Sequence, residues 1–471
     1  MNCVSREAGL APRRSVLWLL WVGLAAGPVS GCGLLFDQNL GRQESSSLTT
    51  EVSDSQTPDA NQPLPETPNN AVDPARPIDE ACLGPACEAD HCFNGVLDGD
   101  ETEADCGGAC GPCGVRFLSV AQFGACAIHQ SRQLFCWGSA EHGGRGDGSI
   151  EPMAAPTRVL GLEGVTHVDA GNYGGCAVAH GGEVWCWGRN DYGALGYAPN
   201  DGPSTALEPH RVELPSEVEI RQVVRGYEHA CVLSAAGEVW CWGRGIMRGV
   251  APPPYTDSHL PARVVSLENI RSIAAGIRHT CALRSDGAVL CWGEPNHDVL
   301  GRQTSSESPA GMPGRVLGFD AATQLGCGYR NCCITDPAGQ VWCWGENSTG
   351  ALGLGHSEAA LEPQRSPSFD GAVSLTISVA NACAVMANDE VWCAGRNNSS
   401  LLANGTFDDS YVPVLNSAVT RGSVQLGLGA QHACFLDAAR AIVCWGSNDP
   451  HLQRASPVSL TFHVPSPIAL P

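Results

Sequence analysis

The chain has 471 residues and a formal charge of −22, yet only 16% of its residues are charged, so the acidity reflects scarce basic side chains. That argues against a nucleic-acid partner, whose phosphates need a basic surface. The length is too great for one ordinary core but suits an array whose units pack only on their neighbours.

The first predicted element is an export signal. Arg13 and Arg14 precede an apolar run over residues 16–26, followed by Pro28-Val29-Ser30-Gly31-Cys32. A basic stub, a short apolar core and small residues before a cut site make the signal-peptide pattern, and this core is too short to span a membrane. Val-Ser-Gly-Cys resembles the bacterial lipoprotein signal, which implies removal of residues 1–31 and lipid on Cys32. Under that reading the chain is held on the cell envelope, at the outer membrane; an ordinary cleaved signal with an incidental Cys is the alternative. Arg13-Arg14-Ser15-Val16-Leu17 also resembles a twin-arginine signal. The 24 Cys agree with an oxidising compartment.

Residues 32–81 are expected to form a disordered tether. From Gln38 onward they are rich in Ser, Thr, Pro, Asn, Asp and Glu, with too little apolar surface to offset the entropy of ordering. Random-coil scaling gives such a segment a reach on the order of 40 Å.

Residues 82–114 hold Cys82, Cys87, Cys92, Cys106, Cys110 and Cys113 and read as a small disulfide-rich module whose connectivity sequence cannot choose. The run from Cys92 through Asn94-Gly95 and Asp98-Gly99-Asp100 to Cys106-Gly107-Gly108 resembles a Cys-rich stalk module of exported bacterial proteins. The spacing of Cys106, Cys110 and Cys113 is that of a radical iron–sulfur site, but such a site needs reduced thiolates and a surrounding barrel. Asp98, Asp100, Glu103 and Asp105 are calcium candidates, since hard cations want clustered carboxylates. An EF-hand loop starting at Asp98 would, however, need Glu where Ala109 stands.

Beyond Gly114 one unit recurs seven times. Two Cys sit ten positions apart in each copy: Cys126 and Cys136, Cys176 and Cys186, Cys231 and Cys241, Cys281 and Cys291, Cys333 and Cys343, Cys383 and Cys393, Cys434 and Cys444. The second Cys opens Cys-Trp-Gly in six copies, and Ala394 takes the Trp place in the sixth. A self-similar period of roughly fifty residues means a solenoid, a propeller or an array.

The fourth copy shows the geometry. Two short apolar segments flank Ser285-Asp286-Gly287, which reads as a hairpin with Gly at the position needing positive φ. Counting outward from the loop makes residues 283 and 289, and then 281 and 291, non-hydrogen-bonded partners with Cα atoms about 4.5 Å apart. That lies within disulfide range, so each Cys pair is placed to bridge adjacent strands of its own copy. Leu283, Val289 and Cys291 point one way and Leu290 and Trp292 the other, so both faces need cover. A radial stack of small sheets supplies it, and an all-β, seven-bladed β-propeller is expected over residues 115–471. An open solenoid would show shorter repeats and distinct caps.

Gly-Xaa-Xaa-His-Xaa-Cys-Ala-Leu, a hairpin ending Val-Xaa-Cys-Trp-Gly, and a following Gly-Ala-Leu-Gly resemble the repeats of the regulator of chromosome condensation family. Residues 276–293 and 226–243 carry the match, as do Asp191-Tyr192-Gly193-Ala194-Leu195-Gly196 and Gly350-Ala351-Leu352-Gly353. The resemblance implies a seven-bladed propeller. The copies depart from it where Asn331, Asn381, Gly174 and Gly124 replace the His, and where Cys327 and Cys332 are added. His229, His279 and His432 recur once per copy and read as structural, bonding loop backbone, rather than as a metal set. The repeated Trp read as packing between blades.

The family's founding member exchanges nucleotide on a small nuclear GTPase, a substrate that export removes. Propeller sialidases resemble the shape but carry boxes whose spacing Ser285-Asp286-Gly287 lacks, and no acid–base pair stands out. No enzyme activity, cofactor or metal is expected. The reading is a monomeric envelope-anchored scaffold that recognises a protein or polymer through blade loops; an inhibitor of an extracellular enzyme is the alternative, because a secreted β-lactamase inhibitor resembles this propeller. Variable loops on a fixed scaffold carry recognition. The longest cover 197–215 and 245–261, offering Tyr197 and, after Pro252-Pro253-Pro254, Tyr255 as partner-binding residues, unless both are merely drifted surface loops.

Overall fold

The computed structural model describes residues 114–470 apart from 152, 265, 320, 420–421, 423–424, 448–460 and 469. Cys32, the tether, the Cys-rich segment and Asp98, Asp100, Glu103 and Asp105 lie outside the described residues.

Each ten-residue step between Cys folds as a hairpin. Cys281 faces Cys291, Ala282 faces Leu290 and Leu283 faces Val289. All seven pairs are bonded within their own copy: Cys126 to Cys136, Cys176 to Cys186, Cys231 to Cys241, Cys281 to Cys291, Cys333 to Cys343, Cys383 to Cys393 and Cys434 to Cys444. Their Cα atoms are 4.1 to 4.2 Å apart, the close approach of a non-hydrogen-bonded pair. Of the second members, Cys186, Cys343 and Cys393 are wholly buried and Cys444 nearly so, which seals these bonds inside the blades. The extra Cys327 is bonded to Cys332.

Adding one strand on each side of the hairpin gives seven four-stranded antiparallel sheets in which the strands follow chain order. The first blade is β1 (Val115–Val120), β2 (Gly124–His129), β3 (Leu134–Gly138) and β4 (Met153–Arg158). The other six span 167–212, 220–263, 270–315, 324–365, 372–415 and 425–468. The first strands of the blades stand side by side around a central channel that all seven line.

The two apolar faces of a blade meet different neighbours. The face bearing Cys231, Leu233, Val239 and Cys241 in the third blade packs on Ile273, Ala282 and Trp292 of the fourth. Cys126, Ile128, Leu134 and Cys136 pack likewise on Ala177 and Trp187. The Trp indole then donates to a carbonyl of the preceding blade: Trp187 to Gly144 at 3.0 Å, Trp242 to Ala194 at 2.9 Å, Trp292 to Met247 at 2.9 Å, Trp344 to Val299 at 3.0 Å and Trp445 to Leu401 at 3.0 Å. A large side chain is thereby buried with its one polar atom paired.

The sixth copy solves the loss of its Trp locally. Gly146, Gly249 and Gly301 lie under the Trp of the following blade, whereas the equivalent Gly353 lies under Phe369. Phe369 comes from the short 3₁₀ turn Pro367–Phe369 that leads into the sixth blade, and it is fully buried in one cluster with Ala394.

The ring closes without exchanging a strand. Gln425 of the seventh blade clamps Leu118 of the first, its amide oxygen accepting from the Leu118 N–H at 2.9 Å and its amide nitrogen donating to the Leu118 carbonyl at 2.7 Å. Gln222 makes the same two-bond clamp on Ile273 between the third and fourth blades. Closure therefore uses the bond type of an interior seam.

Two of the recurrent His, His229 and His279, bond across a seam and not to loop backbone as expected. His229 Nε2 lies 2.7 Å from Thr280 Oγ1 and His279 Nε2 lies 3.1 Å from Cys332 Sγ, each partner in the next blade. A Cβ on Gly226, Gly276 or Gly429 would sit 2.0 to 2.3 Å from the Cε1 of the His three residues on, which explains the Gly-Xaa-Xaa-His pairing. Asn381 does bond its own loop, donating to the Arg396 carbonyl at 2.6 Å, and there Ser378 occupies the Gly place.

The Phe369 substitution for an indole is open to a direct test. Phe369→Ala should destabilise the propeller by about 3–5 kcal/mol, the range for emptying an aromatic site. Ala394→Trp should be overpacked alone but should restore part of the loss when combined with Phe369→Ala, read as a non-additive double-mutant cycle in thermal or denaturant melts.

The seam His make stability depend on pH. Burial lowers the pKa of His229 to about 3 and of His167, His279 and His432 to about 4, from 6.5. The unfolded chain takes up protons that the fold refuses, so this stability is complete above pH 6.5 and is lost as pH falls toward 4. Asp169 works the other way, because burial raises it to about 6 from 3.8. Four His outweigh one Asp, so the melting temperature should fall between pH 6.5 and 4. His229→Asn should remove about one proton's slope, ~1.4 kcal/mol per pH unit.

Candidate functional site

One hydrogen bond recurs in all seven blades and sets out the site. The residue after Cys-Trp-Gly, or its equivalent, donates its N–H to the carbonyl of the residue just before the His position. The pairs are Ser139–Phe123, Arg189–Tyr173, Arg244–Glu228, Glu294–Arg278, Glu346–Arg330, Arg396–Ala380 and Ser447–Gln431, all between 2.7 and 3.0 Å. The intervening Gly has φ between +97° and +129° in every copy, and at Gly243 a Cβ would sit 2.4 Å from the Glu228 carbonyl oxygen. Only Gly passes there without strain. The backbone is thus held alike while the two side chains of each pair vary, at the end of the channel reached by the turns between first and second strands.

Those side chains form a continuous cluster over the second to fifth blades. Arg244 and Arg278 close a four-membered ion ring with Glu228 and Glu294, with contacts of 2.6, 2.9, 3.3 and 3.2 Å. Arg330 pairs with Glu346 at 3.3 Å and Arg189 with Asp191 at 2.6 Å. Aromatic rings are interleaved with them. Tyr173 meets Phe123 at 6.1 Å and Tyr227, edge-on, at 5.6 Å. Arg189 donates to the Tyr227 hydroxyl at 2.6 Å and lies 5.4 Å from that ring's centre, and Arg330 lies 5.2 Å from the ring of Tyr329. Every one of the 27 basic residues of the chain is Arg, the cation suited to stacking on aromatic faces. Burial is the first cause of the raised pKa of Tyr173, followed by the charge of Glu141.

Tyr173, Tyr227, Tyr329, Arg278, Arg330 and Glu294 wall a cavity of about 300 Å³ beside the channel mouth. Deeper in the channel stand Asp169, half-buried, and Arg225, buried. Burial raises the Asp169 carboxyl to about 6 against the Arg225 N–H, which it accepts at 2.7 Å. Burial also lowers Arg225 to about 10, while its guanidinium donates to the Arg189 carbonyl at 2.8 Å. These groups are committed to joining the second and third blades.

The two long runs leave the same end of the propeller, where they join a third strand to a fourth, but neither is loop throughout, since Thr205–Val212 and Ser258–Arg263 are the fourth strands of their blades. Their aromatics do not join the cluster. Tyr197 is half-buried, donates to the Pro203 carbonyl at 2.8 Å and packs edge-on against His210 at 4.5 Å. Tyr255 is half-buried and its hydroxyl accepts the Gly311 N–H at 3.1 Å, fastening the third blade's loop to the fourth's. Tyr192 instead reaches inward, with Arg244 5.3 Å from its ring centre. Sequence reasoning passed over the cluster because its members are single variable positions. The available signal was that the residues beside the repeated Gly and His vary while everything around them repeats.

The described fold matches known proteins. Prp20p from Saccharomyces cerevisiae is 19% identical with a TM-score of 0.65, covering 75% of this chain and 87% of that one. Human WBSCR16 is 19% identical with a TM-score of 0.58, covering 68% and 85%. At such identities the likeness shows the fold alone. The ultraviolet-B receptor UVR8 of Arabidopsis thaliana is 36% identical over 66 residues, a match spanning 14% of this chain and only 15% of that protein. The RCC1-like domain matches residues 133–455, well over half of the chain. Seven contiguous blades with that match place the chain in the RCC1-like domain family.

Proposed function

We propose that this propeller is an exported scaffold that binds a protein partner on the channel-mouth face, through the Tyr and Arg side chains of its second to fifth blades. The observation that carries the reading is the half-buried set Phe123, Tyr173, Tyr227 and Tyr329 interleaved with Arg278 and Arg330 around one cavity, with Arg189 stacked against Tyr227 beside it. Tyr and Arg are the residues enriched at the centres of protein interfaces, where they bring large contact area and several donors on few rotatable bonds. A sugar polymer is served less well: Tyr173 and Tyr227 meet at 67° and so offer no flat shared platform. Prp20p has binding properties to Gsp1p and histones, and Kap60 is bound to yeast RCC1 in another structure, so proteins bind to members of this fold. The two long loops frame the face, with Tyr197 and Tyr255 holding the shape of the frame.

Export and anchoring through Cys32 belong to the same proposal. Eight disulfides among the described residues support an oxidising compartment. An anchored monomer on a tether presents its channel face to other envelope proteins.

A photo-cross-linking amino acid at position 227, in cells producing the protein, should trap one discrete protein species. The same group at position 284, in a hairpin at the opposite end, should trap none. Tyr173→Ala with Tyr329→Ala should weaken that capture by about tenfold or more. Equal trapping at both positions would overturn the placement. Cys32→Ser should move the protein from membranes to the soluble fraction, and unchanged fractionation would remove the anchored reading.

A further inference from the structure

Cys327 and Cys332 stand outside the ten-residue spacing. They face each other between the first two strands of the fifth blade and are bonded, with Cα atoms 4.1 Å apart. The fourteen hairpin Cys are all buried, whereas Cys327 is only partly buried and lines the central channel. Behind it Cys332 is fully buried at the seam with the fourth blade. Its sulfur lies 3.1 Å from His279 Nε2 and 3.8 Å from Cys281 Sγ.

On the preceding seam the place of Cys332 is held by Thr280, against His229. A hydroxyl can either give or take that hydrogen bond, but a disulfide sulfur has no proton to give. The His279 contact therefore requires the proton on Nε2, donated toward Cys332. His279, Cys281, Cys327 and Cys332 bring one ligand atom each within 4.8 Å of one another, but every sulfur in the set is engaged in a disulfide. The pair thus has one residue, Cys327, on the channel wall and a hydrogen-bond donor aimed at the sulfur of the other.

We propose that the Cys327–Cys332 disulfide is a thiol-exchange site, reached through the central channel by small thiols, in which Cys327 is attacked and Cys332 is the leaving sulfur. The incoming thiol loses its proton to water. Its thiolate forms a bond to Cys327 Sγ as the Cys327–Cys332 bond breaks, and that bond's electron pair leaves on Cys332. One disulfide replaces another, so the step needs no oxidant or reductant. His279 Nε2–H bonds the departing sulfur and holds it as the thiolate, its charge balanced by the proton the incoming thiol released. A second thiol attacking the mixed disulfide releases the small-molecule disulfide and leaves both Cys reduced. Exchange requires access to a sulfur, and the seven hairpin disulfides withhold it on both sides.

The test uses the full chain and free cysteine as the thiol. Samples taken over time are quenched in acid, alkylated after denaturation and mapped by mass spectrometry. The expected result is a cysteine adduct on Cys327 with alkylated Cys332, appearing at least about tenfold faster than opening of any ten-spaced pair. An adduct on Cys332, or a Cys327–Cys332 bridge that persists until the hairpins open, overturns the proposal. The double variant Cys327→Ser with Cys332→Thr, which installs the hydroxyl found at the preceding seam, should take up no cysteine while its hairpins remain closed. Uptake at the parent level in that variant would also overturn it.

Discussion

The structure depends on one contact repeated around the ring: a buried Trp of one blade, set against the disulfide face of the blade before it and hydrogen-bonded to that blade's loop. A four-stranded sheet that is apolar on both faces has no stable existence in water by itself. The intrachain disulfide does not remedy this, since it holds the register of a hairpin and nothing beyond it. The Trp does, because it fills the wedge between blades and its indole N–H leaves no buried donor unpaired in the five seams where the bond is seen. Register is thus set within each copy and spacing between copies, by two adjacent residues of the same tripeptide.

The third residue of that tripeptide separates the packed seam from the channel mouth. Gly turns the chain through positive φ directly after the Trp, so the next side chain leaves the packed seam and emerges at the channel mouth. Its partner across the recurrent hydrogen bond emerges beside it. Both places hold aromatic or ionic groups in the second to fifth blades and one does in the first and sixth, where Ser139 and Ala380 complete the pair, while the seventh has Gln431 and Ser447. The channel-mouth face is therefore uneven on a nearly symmetric frame.

Much of this frame was legible in the chain because its signals are local. Hairpin parity placed Cys281 opposite Cys291, and the same count holds for Cys186, Cys343, Cys393 and Cys444 against their partners. Alternation placed Leu283 and Trp292 on opposite faces, since both results follow from the two-residue period of a strand. What escaped are relations between residues one blade apart. Nothing in the sequence near Ala394 says that Phe369 occupies the missing indole's site, because Phe369 arrives from a connection with no repeat pattern. The repeat pattern of His229 and His279 points to local backbone bonding, yet their partners lie in the next blade. The Tyr and Arg cluster escaped for the same reason, as its members are scattered over four copies and meet only through the curvature of the ring. Tyr197 and Tyr255 stood out instead because insertions are visible in one dimension.

The manner of ring closure bears on how such a molecule arises and can be rearranged. No blade borrows a strand from the far end of the chain, and the Gln425 clamp on Leu118 is of the same kind as the Gln222 clamp on Ile273. To the fold, the seam where the propeller begins and ends is one joint among seven. Whole blades can be duplicated or exchanged in register with their genes, and new termini opened at another joint would leave every sheet intact. The order of the blades along the chain is in this sense a historical accident, and only their order around the circle is physical.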